Sequence, residues 1–124
     1  MACIVLIERR FARKFLKTQY GLELTVNIYV SKYFLQHGTL GMFVMKNDVE
    51  PSYIAIDHTL ATFKHHALFR KVLIHELVHY ALFIKQLPYE DGTPLFQQEV
   101  IKHGSLPTGV VAYEDGEFSM LKSS

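Results

Sequence analysis

The chain has 124 residues, 49 % of them hydrophobic and 20 % charged, which suits one globular domain over residues 1–124 and excludes a disordered solvating segment. Thirteen basic and twelve acidic side chains leave a net charge of +1, so no global field steers polyanions, and the single cysteine, Cys3, excludes an internal disulfide and a paired-cysteine metal site. No apolar run approaches the roughly 18 residues of a membrane span, and the short apolar stretch 2–7 precedes its arginines, the reverse of a secretory leader, so a cytoplasmic location without membrane contact is expected.

Ile4, Ile7, Phe11 and Phe15 recur at helical spacing and predict a helix over residues 2–20, with Gly21 as its C-terminal cap. This segment carries Arg9, Arg10, Arg13, Lys14 and Lys17 against Glu8 alone, while residues 86–124 hold six acids against Lys102 and Lys122. The basic helix is a candidate contact for nucleic acid; a solvated basic face is the plainer reading. Leu22, Leu24, Val26, Ile28 and Val30 alternate with polar neighbours and read as a half-buried strand. Residues 41–46 (GMFVMK) and 53–57 (YIAID) are two further strands, and the turn formers at 47–52 predict that they pair as a hairpin. The expected sheet is three-stranded and antiparallel.

Residues 65–86 contain neither proline nor glycine and stop short of Pro88, which predicts a long central helix. From Val72 to Ile84 it is apolar on nearly every side, and His75, Glu76 and His79 are the exceptions. Burying two imidazoles and a carboxylate without partners costs several kcal/mol, so something must compensate them. A third, short helix is expected from Pro94 to Lys102, capped by Thr93, and a C-terminal strand near residues 110–113. The expected fold class is therefore α+β.

The compensation is legible in the spacing. His75-Glu76-Leu77-Val78-His79 is an HExxH motif, in which histidines four residues apart share one helix face and can reach a single zinc ion. Glu76 is then placed to accept a proton from an attacking water. A catalytic zinc takes a third protein ligand. Two downstream carboxylates qualify: Asp91 in the loop after the helix, and Glu99 inside the next helix on the face of Leu95, Phe96 and His103. His103, Tyr80, Tyr89 and Tyr113 are candidate partners for a reaction oxyanion.

VLIHELVHYALF at 72–83, the aromatic Phe96 after a loop and HGSLPTGVVAY at 103–113 resemble the SprT-like zinc metallopeptidases, the Spartan-type catalytic domains, over most of the chain. The resemblance implies a small zincin-like domain with His75 and His79 as zinc ligands, Glu76 as general base and a polypeptide as substrate. It departs at the third ligand, where the family typically has a histidine shortly before the aromatic-led helix; here EDGTPLF brings Asp91 to that place. Glu99 would instead give a thermolysin-like spacing. The family's zinc ribbon has no counterpart, which weakens any implied link to DNA-bound substrates. A catalytically silent zinc-binding or protein-interaction module of the same fold is the alternative reading.

Overall fold

The computed structural model describes residues 2–31, 40–47, 49–61, 65–105, 111–114 and 117–120. In chain order these form α1 (Ala2–Tyr20), β1 (Asn27–Ser31), β2 (Gly41–Lys46), β3 (Glu50–Asp57), a single 3-10 turn at His58–Leu60, α2 (His66–Ile84), α3 (Pro94–Lys102), β4 (Val111–Glu114) and β5 (Glu117–Met120). The α+β class and the three helices agree with the sequence reading. None of these helices is long and apolar enough to cross a membrane.

The sheet corrects that reading. It is mixed, with strand order β1-β3-β2: β3 pairs antiparallel with β2 through the expected hairpin, but β1 lies on the other side of β3 and runs parallel to it. β3 is thus the central strand, and its run Ile54, Ala55, Ile56, Asp57 is buried on successive positions, as expected of a strand covered on both faces rather than one. β2, mostly half-buried, lies at an edge of the sheet among the described residues. β3 also starts earlier than expected, at Glu50, and its pairing with β2 shifts register between Val44 and Met45.

The alternation at residues 22–30 is real, yet only Asn27–Ser31 form a ladder. Upstream, Leu24 and Val26 are buried while the backbone is held by a side chain. The Tyr80 hydroxyl donates to the Glu23 carbonyl at 2.8 Å and accepts from the Thr25 amide at 3.1 Å. A strand-like pattern therefore served a docked segment whose hydrogen-bond partner is α2. β4 and β5 pair as a separate antiparallel hairpin, the second strand of which the sequence reading did not anticipate. At α3, Pro94 occupies the first turn as expected, but the Thr93 hydroxyl donates to the Glu90 carbonyl at 2.8 Å instead of capping the helix.

α2 packs against β2, β3, α1 and α3, which explains its apolar character on all sides. Its N-terminal half is fixed to α1 by an ion pair. Glu8, fully buried, accepts two hydrogen bonds from Arg70, at 2.7 and 2.9 Å, and one from His66 at 3.0 Å, while the Arg70 guanidinium lies 3.8 Å from the Phe11 ring centroid. Burial alone would raise the Glu8 pKa, but the Arg70 and His66 hydrogen bonds outweigh it and hold the carboxyl below its ordinary 4.5. Glu8 is thus consumed inside the fold, and Arg10, Arg13, Lys14 and Lys17 face solvent without an acid on the same helix.

Removing Arg70 strands a buried carboxylate, so Arg70→Ala is expected to cost about 3 kcal/mol in denaturant unfolding at pH 7. Because the folded-state pKa of Glu8 lies below 4.5, its contribution is complete above that pH and disappears as pH falls through the folded value, so the gap between wild type and variant narrows on acidification.

Candidate metal centre

The HExxH segment sits at the middle of α2. His75 and Glu76 are each 3 % exposed, the His79 side chain is 11 % exposed, and one ligand atom from each of the three lies within 4.8 Å of the others. The group could hold a metal ion. Phe96, fully buried on α3, closes the back of the site: its ring stacks on His79 with centroids 4.0 Å apart and meets His75 edge-on at 5.0 Å.

The loop after α2 completes the set. Leu87 and Gln86 close the last turn of α2 onto the Leu82 and Phe83 carbonyls, with Gln86 in the left-handed region at φ 59°. The chain then passes Tyr89, whose carbonyl accepts a hydrogen bond from His79 Nδ1. A turn over Glu90–Thr93 follows, closed by the Thr93 amide on the Glu90 carbonyl and made possible by Gly92 at φ 83°. It delivers Asp91 Oδ1 to 3.2 Å from His75 Nε2 and 3.1 Å from His79 Nε2. The Asp91 side chain is 69 % exposed, so the site opens to solvent on this side.

The electrostatics of this arrangement suit a positive charge between the two rings and Asp91. A neutral imidazole carries one N–H. His79 spends that hydrogen on the Tyr89 carbonyl, which leaves Nε2 as a lone pair facing a carboxylate oxygen. With the ring neutral, two acceptors face each other at 3.1 Å, a contact made favourable by a second proton on His79 or by a cation between them; the same oxygen faces His75 as well. When the two rings are protonated toward it, hydrogen bonds from His75 and His79 hold the Asp91 carboxyl well below the ordinary carboxylate range. Glu76 is displaced in the opposite direction: burial pushes its pKa up, and the two imidazoles counteract only part of this.

Nothing matches the chain among protein-family models, curated proteins or solved structures. The site therefore rests on its own geometry. That geometry brings His75, Glu76, His79 and Asp91 together and leaves Glu99 elsewhere. Glu99 Oε1 accepts from the Tyr20 hydroxyl at 2.8 Å and lies 4.0 Å from His103 Nε2, in a cluster between α1 and α3 walled by Phe15. Of the proposed oxyanion partners, His103 belongs to that second cluster and the Tyr80 hydroxyl is consumed by residues 23–25. The Tyr89 ring packs edge-on against Phe83, and the Tyr113 side chain lies outside the described residues.

Two contributors escaped the sequence reading. The Tyr89 carbonyl is main chain and leaves no trace in residue identity. Gly41 did leave one, as a glycine opening an otherwise apolar strand, which marks close approach of another group. A Cβ there would lie 2.8 Å from Val72 Cγ1 and 3.2 Å from Glu76 Oε2.

Gly41→Ala is accordingly expected to displace Val72 and the Glu76 carboxylate and to cost about 1–3 kcal/mol, read by thermal unfolding. Asp91→Ala should weaken metal binding more than about 100-fold in a chelator competition, beyond the usual effect of losing an indirect partner of a ligand; Glu99→Ala should leave it unchanged.

Proposed function

We propose that the protein is a zinc-dependent metallopeptidase of the SprT-like type, with His75, His79 and Asp91 holding the ion and Glu76 acting as general base. The observation that carries this reading is the pair of imidazole Nε2 atoms converging on one carboxylate oxygen. Three donors on a tetrahedral zinc with bonds of 2.0–2.1 Å stand about 3.3 Å apart. The measured separations of 3.1 and 3.2 Å suit that polyhedron. Two histidines and one carboxylate, with solvent on the open side, form the donor set of a catalytic rather than a structural site.

Zinc, when bound, supplies a Lewis acid that polarises the scissile carbonyl and eases deprotonation of water. The remaining work falls to the chain. Glu76, whose basicity is increased by burial, takes a proton from the attacking water and returns it to the leaving amine. Phe96 keeps water from the rear of both imidazoles, and the Tyr89 carbonyl holds His79 in the tautomer that leaves Nε2 available. Among the described residues β2 is an edge strand beside Glu76, since Gly41 lies against that carboxylate. Its outer main-chain groups can pair with an extended polypeptide.

Glu76→Gln keeps the shape of the side chain and removes its basicity. Hydrolysis of an unfolded protein by the zinc-loaded variant should fall by about 10²–10⁴-fold, with zinc content unchanged by elemental analysis. A variant that hydrolyses at the wild-type rate would remove Glu76 from this role, and a zinc-loaded wild type inert toward unfolded proteins would leave the silent metal-binding module.

A further inference from the structure

The metal-bearing face of α2 does not end at His79. Phe83, one turn further on, packs edge-on against Phe43 of β2 at 5.6 Å and against Tyr89 at 5.1 Å. Beyond it lies a cleft of about 560 Å³ between the β2–β3 turn and the end of α2. Val49 and Pro51 form one wall, Phe83, Ile84, Gln86 and Leu87 the other, with Tyr89 between them; among the described residues Gln86 is polar and no charged side chain lines it. Val49, Leu87 and Ile84 are 76 %, 41 % and 37 % exposed, which is unusual for three neighbouring aliphatic side chains without an occupant.

We infer that this cleft receives an apolar side chain of the polypeptide substrate, two or three residues from the bond to be cut. The inference rests on the peptidase reading for where that bond lies. The cleft and the metal centre share a wall, because Tyr89 holds His79 with its carbonyl and lines the cleft beside Phe83. They also share a track. β2 starts at Gly41 beside Glu76, passes Phe43 beside Tyr80 and Phe83, and ends at the turn that carries Val49. A segment paired to the open edge of β2 is led from Glu76 to the cleft. One helical turn from His79 to Phe83 covers about 6 Å, and an extended chain advances about 3.3 Å per residue, which sets the spacing of two to three residues. A lining that carries no charge among the described residues selects a leucine-like or aromatic side chain over an acidic or basic one.

The test uses the zinc-loaded full chain carrying Glu76→Gln and fluorescent twelve-residue peptides of glycine and serine with one central leucine, or serine in its place, read by anisotropy. The leucine peptide should bind about tenfold tighter, a gain within reach of partial burial of one such side chain. Val49→Asp and Leu87→Asp, both at exposed positions, should bring the leucine-to-serine ratio close to one while zinc content stays at the wild-type level. An unchanged ratio in both variants, or no leucine preference at all, overturns the inference. So does concentration-dependent self-association that Leu87→Asp abolishes, which would give the cleft to a second copy of the chain. The two readings fail separately. A leucine preference that both variants erase, in a protein whose wild type hydrolyses nothing, upholds the cleft and removes the peptidase; hydrolysis indifferent to leucine removes the cleft alone.

Discussion

The constraint on which the rest of the site depends is that His79 faces an acceptor at each end of its ring. Its Nδ1 hydrogen is committed to the Tyr89 carbonyl, and its Nε2 meets the Asp91 carboxylate, which His75 also approaches. Protons alone satisfy this only if His79 carries a second one, as an imidazolium between the Tyr89 carbonyl and Asp91, beside Phe96 and His75. A metal ion held by the same group would supply that compensation and leave the ring neutral.

The donors are not held equally. His75 and His79 stand on a helix immobilised from several directions: the Glu8–Arg70 pair ties its first half to α1, the Tyr80 hydroxyl ties its middle to residues 23–25, and the sheet and Phe96 cover the remaining sides. Little ordering is left for these two rings when a ligand arrives. Asp91 comes from an exposed loop and relies on the Gly92 turn and the short path from Tyr89. The rigid pair would thus define where an ion could sit, and the loop residue how firmly it would stay.

Much of this was legible in the residues. Helical periodicity marked α1, a long stretch free of proline and glycine marked α2 and the Thr93-Pro94 start marked α3, each nearly to its ends, and the HExxH spacing marked three of the four clustered side chains because it follows from the geometry of one helix. What failed were relations between segments. The alternation at 22–30 reported burial correctly, but alternation does not say whether the partner is a strand or the tip of Tyr80. The run Ile54–Asp57 carried the sign of a central strand covered on both faces, and with it a place for β1 on the far side of β3; a hairpin-first reading passed over it. Glu8 read as one acid in a basic helix, whereas its fold-level role depends on Arg70, 62 positions away.

The choice between the two carboxylates shows why inward orientation is not an address. The sequence reading of Glu99 as inward was sound, since it is half-buried and shares a side of α3 with Phe96 and His103. But at 100° per residue it is turned about 60° from Phe96 and lies one turn further along the axis. That offset is enough to take it from α2 to the end of α1, where the Tyr20 hydroxyl meets it and the Phe15 ring meets its neighbour His103. Phe96 is left to touch both imidazoles. One face of α3 thereby serves two sites, an apolar floor under the two imidazoles and a polar latch on α1, and the carboxylate that reaches the imidazoles comes from the loop that precedes the helix.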